Sequence, residues 1–286
     1  MKLVSYNVHY GVGRDGVYDL ARIVERIADA DIIALQEVSR NLIRNGGTDM
    51  VARLAEMLPD HFQVFGAAMD IDVSAATPGA RPSDSRRFQF GNMVLSRWPI
   101  ATVRNLLLPR TRRLSSGNLQ RAALEALIIT PTGPLRVYSV HIDHLSHEER
   151  ILQIRHLKER VYAFPSEGGA ITGAAEYGFP EPPCPEEFVM MGDFNMIPGS
   201  RDYHAMTGEP DSQKGQHISW NQPVDAFALK PLPAAAATFV DEANPETSKV
   251  IDYVFLHAAL SPRVVGVGID ADAEGSDHLP VWLQLS

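Results

Sequence analysis

The sequence has one cysteine, no long apolar run and no excess of basic side chains. The single cysteine, Cys184, excludes an internal disulfide framework and a zinc site made of several thiolates. No stretch of about 18 uninterrupted apolar residues is present, so we predict no transmembrane segment. A formal net charge of -9 argues against a long-range field that attracts nucleic acid, although a local basic patch is compatible with it.

The composition, 45% hydrophobic and 21% charged over 286 residues, is that of a soluble globular protein. This length accommodates one large domain or two small ones. The first strand is predicted to begin at Lys2 or Leu3, which leaves no room for a charged leader with an apolar segment. We therefore expect a cytoplasmic protein. A single domain over residues 1–286 is also expected, because polar residues near both termini must converge if they form one site.

Short apolar segments alternate with amphipathic stretches, which predicts a sheet-rich α/β protein. Helices are predicted at about residues 19–28 and 49–57 from the helical spacing of their apolar residues. A third helix is predicted after Ser146, because Ser146 and Glu149 match a capping box in which the glutamate reaches back to the serine. Strands are predicted at residues 3–9, 32–38, 62–65, 91–96, 122–130, 135–141, 188–193, 250–256 and 280–285.

Two segments are predicted to be loops. They comprise residues 69–85 and residues 165–187, and the second contains Gly168-Gly169 and several prolines. Loops of this length are uncommon unless they are functional or disordered. A substrate-shaping loop and a mobile insertion are equally compatible with either composition.

Polar residues stand at the ends of several predicted strands. Asp193 and Asn195 follow the apolar residues 188–191, and in extended backbone both side chains would project to the same side and orient a water molecule. His278 needs a partner that fixes its tautomer, because the adjacent Asp277 points elsewhere. Asp252 is a candidate, since a carboxylate in so apolar a strand is costly unless it is paired. An exposed edge position is the alternative for Asp252.

Asn7 interrupts the first predicted strand and Glu37 follows the second. Oxygen ligands of this kind suit Mg²⁺ or Mn²⁺, which keep several waters and bridge to phosphate. Taken singly, Asn7 is better explained as a partner of a backbone group and Glu37 as the cap of a turn. A metal site is favoured because polar residues occur together at the ends of several predicted strands.

The order of these motifs resembles the signature blocks of the endonuclease/exonuclease/phosphatase superfamily. The resemblance extends from near the first residue to near the last, and its strength lies in the correct order of the blocks. The blocks are Ser5-Tyr6-Asn7, Leu35-Gln36-Glu37-Val38, Gly91-Asn92-Met93-Val94-Leu95-Ser96-Arg97, Ser139-Val140-His141, Gly192-Asp193-Phe194-Asn195, Ile251-Asp252-Tyr253 and Ser276-Asp277-His278.

The resemblance implies a four-layer α/β/β/α sandwich of two mixed sheets with outer helices. It also implies an Mg²⁺- or Mn²⁺-dependent phosphoesterase with Glu37 as the principal metal ligand and Asn7 and Asp277 close to the ion. In this reading Asp193 and Asn195 orient the attacking water, and His278, supported by Asp252, binds phosphate or assists proton transfer. Whether Asp193 or His278 is the general base stays open.

Three further residues are candidates for phosphate contacts under the same resemblance. His141 would contact the phosphate or the leaving oxygen, and Arg121 and Asn92 are weaker candidates for a phosphate contact. A surface salt bridge accounts for Arg121 equally well.

The substrate expected for this enzyme is a small or lipid-derived phosphodiester or phosphomonoester. An endonuclease or exonuclease acting on DNA or RNA is the alternative, but clustered arginines are few. A noncatalytic module that binds a phosphorylated ligand is an alternative of another class. A zinc hydrolase is disfavoured, because Ser139 stands where the run His141-Ile142-Asp143-His144 would need a further histidine.

Overall fold

The computed structural model describes residues 1–74, 81, 85–213, 215 and 217–286. The strands are β1 (Lys2–Asn7), β2 (Ile32–Arg40), β3 (Phe62–Asp72), β4 (Arg87–Ser96), β5 (Ile100–Leu107), β6 (Ala122–Thr130), β7 (Gly133–His141), β8 (Phe188–Asp193), β9 (Val224–Asp225), β10 (Asp252–Leu256), β11 (Val264–Ile269) and β12 (Val281–Leu285). The α-helices are α1 (Leu20–Ile27), α2 (Met50–Met57), α3 (His147–Glu167), α4 (Arg201–Thr207) and α5 (Ala226–Leu229).

The strands form two mixed six-stranded sheets that lie face to face. The first sheet has the order β11-β12-β1-β2-β4-β3, and the second has the order β5-β6-β7-β8-β10-β9. Each sheet contains one parallel central pair, β1 with β2 and β7 with β8, and the other pairs are antiparallel. Apolar side chains from both sheets fill the space between them, so the inner strands are buried on both faces.

Helices cover the outer faces of the two sheets. Helices α1 and α2 pack through Ile23 and Leu54 against the first sheet, where they enclose a core that includes Ile33. Helix α3 packs against the second sheet through Ile154 and Leu157, and α4 lies beside α3. The layers are therefore helix, sheet, sheet and helix, which confirms the predicted α/β/β/α sandwich. Among the residues that the structure describes, no helix combines the length and the apolar composition needed to cross a bilayer.

The predicted strands recur in the structure, although β3 continues to Asp72 instead of ending at residue 65, and the prediction missed β5, β9 and β11. All three are edge strands, so one side of each lacks a neighbouring strand, and β9 comprises only two residues. Strand β5 carries Arg104 and Asn105 among its apolar residues, and β11 carries Gly266 and Gly268. Polar residues and glycines weaken the apolar signal on which the strand prediction depends.

The start of α3 follows half of the predicted capping box. The Ser146 hydroxyl accepts a hydrogen bond from the Glu149 amide at 3.3 Å, as predicted. Glu149 does not reach back, because its carboxylate accepts a hydrogen bond from the Thr111 hydroxyl at 2.6 Å. The Ser146 amide donates instead to Asp143 Oδ2 at 2.7 Å. Glu149 thus anchors the connection between β5 and β6 rather than its own helix.

The two predicted loops differ from the structure at their ends. In the first, residues 69–72 belong to β3 rather than to a loop, and residues 75–80 and 82–84 lie outside the described part of the chain. The second is shorter than predicted, because α3 continues to Glu167. It leads into Phe188 at the start of β8, five residues before Asp193. The segment that precedes Phe188 therefore lies at the edge remote from the end of β8.

Candidate active site

The predicted polar residues meet at one edge of the two sheets. Because β1 is parallel to β2 and β7 is parallel to β8, the last residues of each pair lie at the same edge. Strand β10 is antiparallel to β8 and begins at this edge, with Asp252 opposite Asp193. The residues that converge come from the whole length of the chain, namely Asn7, Glu37, His141, Asp193, Asn195, Asp252, Asp277 and His278.

A cavity of about 610 Å³ opens at this edge. This volume exceeds that of a phosphoryl group and lies within the range of small-molecule sites. Predicted residues that line it are Glu37, Arg121, His141, Asp193, Asn195, Asp277 and His278. Its apolar and aromatic walls are formed by Tyr10, Leu42, Met69, Phe88, Phe90, Leu119, Phe239 and Ile251.

Asp252 and His278 form a buried hydrogen-bonded pair beneath the cavity. The Oδ2 atom of Asp252 lies 2.8 Å from Nδ1 of His278, and both side chains are almost fully buried. The edge alternative for Asp252 does not hold, because β10 lies between β8 and β9. Burial alone would lower the pKa of His278, but the carboxylates of Asp252 and Asp193 raise it to about 10. The imidazole is therefore oriented and positively charged at neutral pH.

Asp193 is the carboxylate in the floor of the cavity. Its Oδ2 atom accepts a hydrogen bond from the Asn7 amide at 3.0 Å and lies 3.4 Å from Nε2 of His141 and 3.8 Å from Nε2 of His278. Burial raises the pKa of Asp193 to about 7, against the opposing effect of His278. A carboxylate in this state is suited to exchanging a proton near neutral pH.

Gly192 allows Asp193 to approach the neighbouring strand. A Cβ atom on Gly192 would lie 1.9 Å from the carbonyl oxygen of Val140 on β7, which is sterically impossible without separating the strands. The glycine of the Gly-Asp-Phe-Asn motif therefore permits the close pairing of β7 and β8 that places Asp193 beside His141.

Asn195 lines the cavity, but its backbone conformation differs from the predicted extended one. The backbone leaves the strand after Asp193 and turns, so Asn195 has a positive φ of 48° rather than the extended conformation. Its amide nitrogen donates to the carbonyl oxygen of Ile142 at 3.2 Å, and its backbone amide donates to Asp193 Oδ1 at 3.0 Å. The turn, and not strand alternation, places both side chains at the cavity.

Glu37 enters the cavity because strand β2 is irregular at this point. The register between β2 and β4 shifts between Leu35 and Val38, and Glu37 has a φ of 61°. A bulge of this kind redirects a side chain away from the regular alternation of the strand. A positive φ in a residue other than glycine is strained, and such strain concentrates at functional sites.

Among the described residues, three carboxylates of the cavity have histidine neighbours but no lysine or arginine partner. Within the described ranges of the chain, no lysine or arginine nitrogen lies within 4.0 Å of the carboxylates of Glu37, Asp193 or Asp277. The Asn7 amide nitrogen lies 3.4 Å from Glu37 Oε1, and Asn7 Oδ1 accepts a hydrogen bond from the backbone of His9. Oxygen donors in excess of positive charge fit a hard divalent cation. The side chains of Glu37, Asn7 and Asp277 supply oxygen atoms of the kind that such a cation prefers.

A second grouping of possible ligand atoms consists of Asp193, Asp252 and His278, which lie within 4.8 Å of one another. The hydrogen bond between Asp252 and His278 already occupies Nδ1 of the imidazole. We therefore interpret this group as the hydrogen-bonded pair of Asp252 and His278, with Asp193 Oδ2 3.8 Å from Nε2 of His278, rather than as the metal site.

Arg121 lies in the wall of the cavity and not in a surface salt bridge. It is only 4% exposed, and its Nη1 and Nη2 atoms lie 2.8 Å from Nε2 of His141 and 3.0 Å from Nδ1 of His144. Its Nε atom is buried and has no hydrogen-bond partner among the described residues. Burial, together with the nearby Arg121, holds the pKa of His141 well below its usual range. The pair therefore presents one cation and one neutral imidazole to the cavity.

Asn92 is not at the cavity. Its amide nitrogen donates to the carbonyl oxygens of Ala122 at 2.8 Å and of Ser139 at 2.9 Å, so it joins β4 of one sheet to β6 and β7 of the other. Gln36 makes a similar connection by donating to the Ser139 hydroxyl at 2.9 Å. Two residues of the signature blocks thus hold the sheets together beneath the cavity, and we do not retain Asn92 as a phosphate contact.

Asn92→Ala is expected to destabilise the protein without impairing substrate binding. The substitution removes two buried hydrogen bonds that join the sheets, which costs roughly 1–3 kcal/mol in the free energy of unfolding. Urea denaturation measures this loss, and steady-state kinetics below the unfolding transition should give an unchanged KM. A raised KM with unchanged stability would return Asn92 to the phosphate site.

Several residues of the cavity were not predicted from the sequence. His9, Tyr10, Arg44, Phe239 and Lys249 line it together with most of the apolar wall residues. His9 and Tyr10 have φ values of 42° and 44°, so a strained turn follows β1 directly. The nearness of His9 to Asn7 was an available signal, whereas Phe239 and Lys249 come from connections that only the folded chain brings to the cavity.

In this α/β sandwich, carboxylates, amides and imidazoles lie around a cavity at the ends of the central strands. This combination of fold and site defines the class of the protein. The profile of the Endonuclease/Exonuclease/phosphatase family matches residues 4–278, so the chain belongs to that family, whose members are phosphoric ester hydrolases. The family resemblance of the signature blocks is thereby confirmed. None of the curated proteins matches the chain in sequence.

Solved structures share the fold at low sequence identity. An endonuclease/exonuclease/phosphatase from Beutenbergia cavernae is 22% identical with a TM-score of 0.64, over 100% of this chain and 72% of that chain. A mannosyl-6-phosphatase from Bacteroides thetaiotaomicron is 16% identical with a TM-score of 0.63, over 100% of this chain and 99% of that chain. A 3' phosphatase from Neisseria, bound to a product DNA hairpin, is 17% identical with a TM-score of 0.60, over 100% of this chain and 99% of that chain. These likenesses concern the fold alone.

Proposed function

We propose that the protein is an Mg²⁺- or Mn²⁺-dependent phosphoesterase that hydrolyses a small or lipid-derived phosphoester by attack of water. The observation that carries the proposal is the position of the Asn7 amide nitrogen. It lies 3.4 Å from Glu37, 3.0 Å from Asp193 and 3.4 Å from His278, so one amide joins the candidate metal ligand to the candidate catalytic pair.

The roles of Asp193 and His278 follow from their surroundings. His278 stands between the carboxylates of Asp252 and Asp193, an arrangement that favours the protonated imidazolium. A protonated His278 acts as a hydrogen-bond donor to a phosphoryl oxygen and not as a base. Asp193 then orients the attacking water and accepts its proton, with Asn195 on the same side of the cavity.

The remaining cavity residues bind the phosphate and the divalent cation. Arg121, with its unpartnered buried Nε atom, and His141 face the space where the phosphoryl oxygens or the leaving oxygen would lie. Glu37, Asn7 and Asp277 would hold the cation. When bound, a divalent cation neutralises negative charge on the phosphoryl oxygens and so reduces the repulsion that opposes attack.

The walls of the cavity favour a small or lipid-derived substrate over a nucleic acid duplex. Beyond the polar floor, the cavity is enclosed by aromatic and aliphatic side chains that include Phe88, Phe90 and Phe239. Such walls suit the apolar part of a phosphoester. A nuclease that grips a duplex needs many phosphate contacts from lysine and arginine, and the net charge of -9 opposes this.

A substrate screen tests the proposal. Purified protein is assayed with Mg²⁺ and with Mn²⁺ against bis-p-nitrophenyl phosphate, p-nitrophenyl phosphate, glycerophosphodiesters, phosphoinositides, abasic DNA and single-stranded RNA. We expect turnover of a non-nucleic-acid substrate that EDTA abolishes. Preferred cleavage of DNA or RNA would establish the nuclease alternative, and metal-independent ligand binding without turnover would establish a noncatalytic module.

Glu37→Gln is expected to raise the Mg²⁺ or Mn²⁺ concentration required for half-maximal activity by roughly tenfold or more, because it removes one charged ligand. The measurement is a metal titration at saturating substrate. Glu25→Gln, on the exposed side of α1, is the control and should leave the titration unchanged. An unchanged titration for Glu37→Gln would remove Glu37 from the metal site.

A further inference from the structure

Two apolar side chains of the protein are almost fully exposed. Among the described residues, the two large hydrophobic side chains with the highest exposure are Ile43, at 91%, and Leu114, at 87%. Isolated exposed hydrophobic residues are common on protein surfaces and need no explanation by themselves. Their position relative to the cavity is what distinguishes these two.

Both residues project from connections that border the cavity. Ile43 stands between Leu42 and Arg44, and each of these neighbours lines the cavity. Leu114 belongs to the connection between β5 and β6, which contributes Leu119 to the cavity wall. We refer to Ile43 and Leu114 as the mouth tips.

The connection that carries Leu114 is fixed to the site. Arg113, the residue before it, donates to Asp143 Oδ2 at 2.9 Å and to Glu149 Oε2 at 3.3 Å. Asp143 lies between His141 and His144, which both line the cavity. The connection that carries Leu114 is therefore anchored at the sheet edge where β7 ends, while the Leu114 side chain itself is 87% exposed.

Positive charge accompanies each mouth tip. Arg44 follows Ile43 directly, and Arg110 and Arg112 precede Leu114 on the exposed side of its connection. Exposed apolar residues flanked by arginines are the composition of surfaces that insert shallowly into a bilayer while the cations contact anionic headgroups. The arrangement is local, since the chain as a whole carries a net charge of -9.

The apolar character continues from the mouth into the cavity. Leu42 is adjacent to Ile43, and Leu119, Met69 and Phe88 extend the apolar wall toward the polar floor. A phosphoester with an acyl or alkyl group could thus remain in an apolar environment while its phosphate reaches Asp193 and His278.

We propose that the mouth tips dock the protein on an anionic lipid surface, so that the cavity receives its phosphoester from that surface. For the substrate class, this inference rests on the proposed function. The docking itself depends on the exposed residues of the mouth and can be measured without turnover. The chain would lie on the bilayer and not span it.

Vesicle sedimentation tests the docking. Full-length protein is mixed with vesicles of phosphatidylcholine, or of phosphatidylcholine and phosphatidylserine, at low and at high sodium chloride. We expect binding to the anionic vesicles that falls as salt rises, since screening weakens the contribution of the arginines. Absence of binding to either vesicle would overturn the proposal and would leave a partner protein as the occupant of this surface.

Variants of the tips localise the surface. Ile43→Ser and Leu114→Ser should each lower the vesicle partition coefficient by about tenfold, the effect of withholding one large apolar side chain from the lipid. The matched control is Tyr177→Ser, because Tyr177 is 70% exposed but lies in the segment at the opposite edge of the sheets. Equal losses in the control and the tip variants, or no loss in either, would overturn the assignment of the tips.

Soluble substrate separates docking from catalysis. Both tip variants should retain wild-type turnover of bis-p-nitrophenyl phosphate, because neither side chain lines the cavity. If the wild type binds vesicles but hydrolyses no phosphoester, the proposed function fails and the docking surface stands. If the wild type hydrolyses the soluble diester but does not bind vesicles, the docking proposal fails and the proposed function stands.

Discussion

Asp193→Asn is expected to lower kcat by roughly 10³-fold, within the range of about 10²–10⁴ attributed to a positioned acid or base. The asparagine preserves the shape of the side chain but cannot accept a proton from water. Because burial disfavours the charged form of Asp193, an uncharged replacement should not reduce the free energy of unfolding at neutral pH. The expected result is a folded, metal-binding protein that is almost inactive.

The measurement is kcat for bis-p-nitrophenyl phosphate at saturating metal, together with thermal unfolding of the same sample. Asp225→Asn provides the control, because Asp225 is also buried, burial raises its pKa to about 6, and it caps α5 without lining the cavity. The control should keep wild-type kcat. Near-normal turnover in Asp193→Asn would show that another group takes the proton, and the role assigned to Asp193 would be wrong.

The residues of the candidate site could be predicted from the sequence more completely than the edge strands of the sheets. Asn7, His141 and Asp193 end central parallel strands, and buried apolar runs make these strands visible in the sequence. The order of the signature blocks grouped the residues that close these runs into one candidate site, whereas the parallel pairing of β1 with β2 and of β7 with β8 was visible only in the structure. The edge strands β5 and β11 carry weaker patterns and were missed.

The local geometry of the site depends on irregularities that periodicity does not reveal. The bulge at Glu37 and the turn at Asn195 both place non-glycine residues at positive φ. Neither can be inferred from strand alternation, which presumes regular backbone. The walls of the cavity present the same difficulty, because Met69, Leu119 and Phe239 come from distant parts of the chain whose approach is a property of the tertiary structure.

Burial also determines what is expected of a substitution at His278. The structure shows His278 only 6% exposed and in contact with two buried carboxylates, those of Asp252 and Asp193. An imidazolium in this position compensates negative charge that would otherwise be costly to bury. His278 therefore contributes to folding as well as to the proposed chemistry.

His278→Ala is accordingly expected to have two effects. The loss of the donor to the phosphoryl oxygen should lower kcat by roughly 10²–10⁴-fold. Removing one member of a buried charged pair should also lower the free energy of unfolding by about 3 kcal/mol, since Asp252 is left without a charged partner. Kinetics at saturating substrate and urea denaturation at neutral pH measure the two effects separately.

A second substitution distinguishes the two effects of His278→Ala. In the double variant His278→Ala with Asp252→Asn, the uncompensated carboxylate is gone, so part of the lost stability should return while kcat stays low. Additive losses of stability in the double variant would show that Asp252 and His278 are not coupled in the folded protein. Recovery of turnover together with stability would show that His278 acts only by maintaining the structure. The donor to phosphate would then be another residue, and Arg121 in the cavity wall is a candidate.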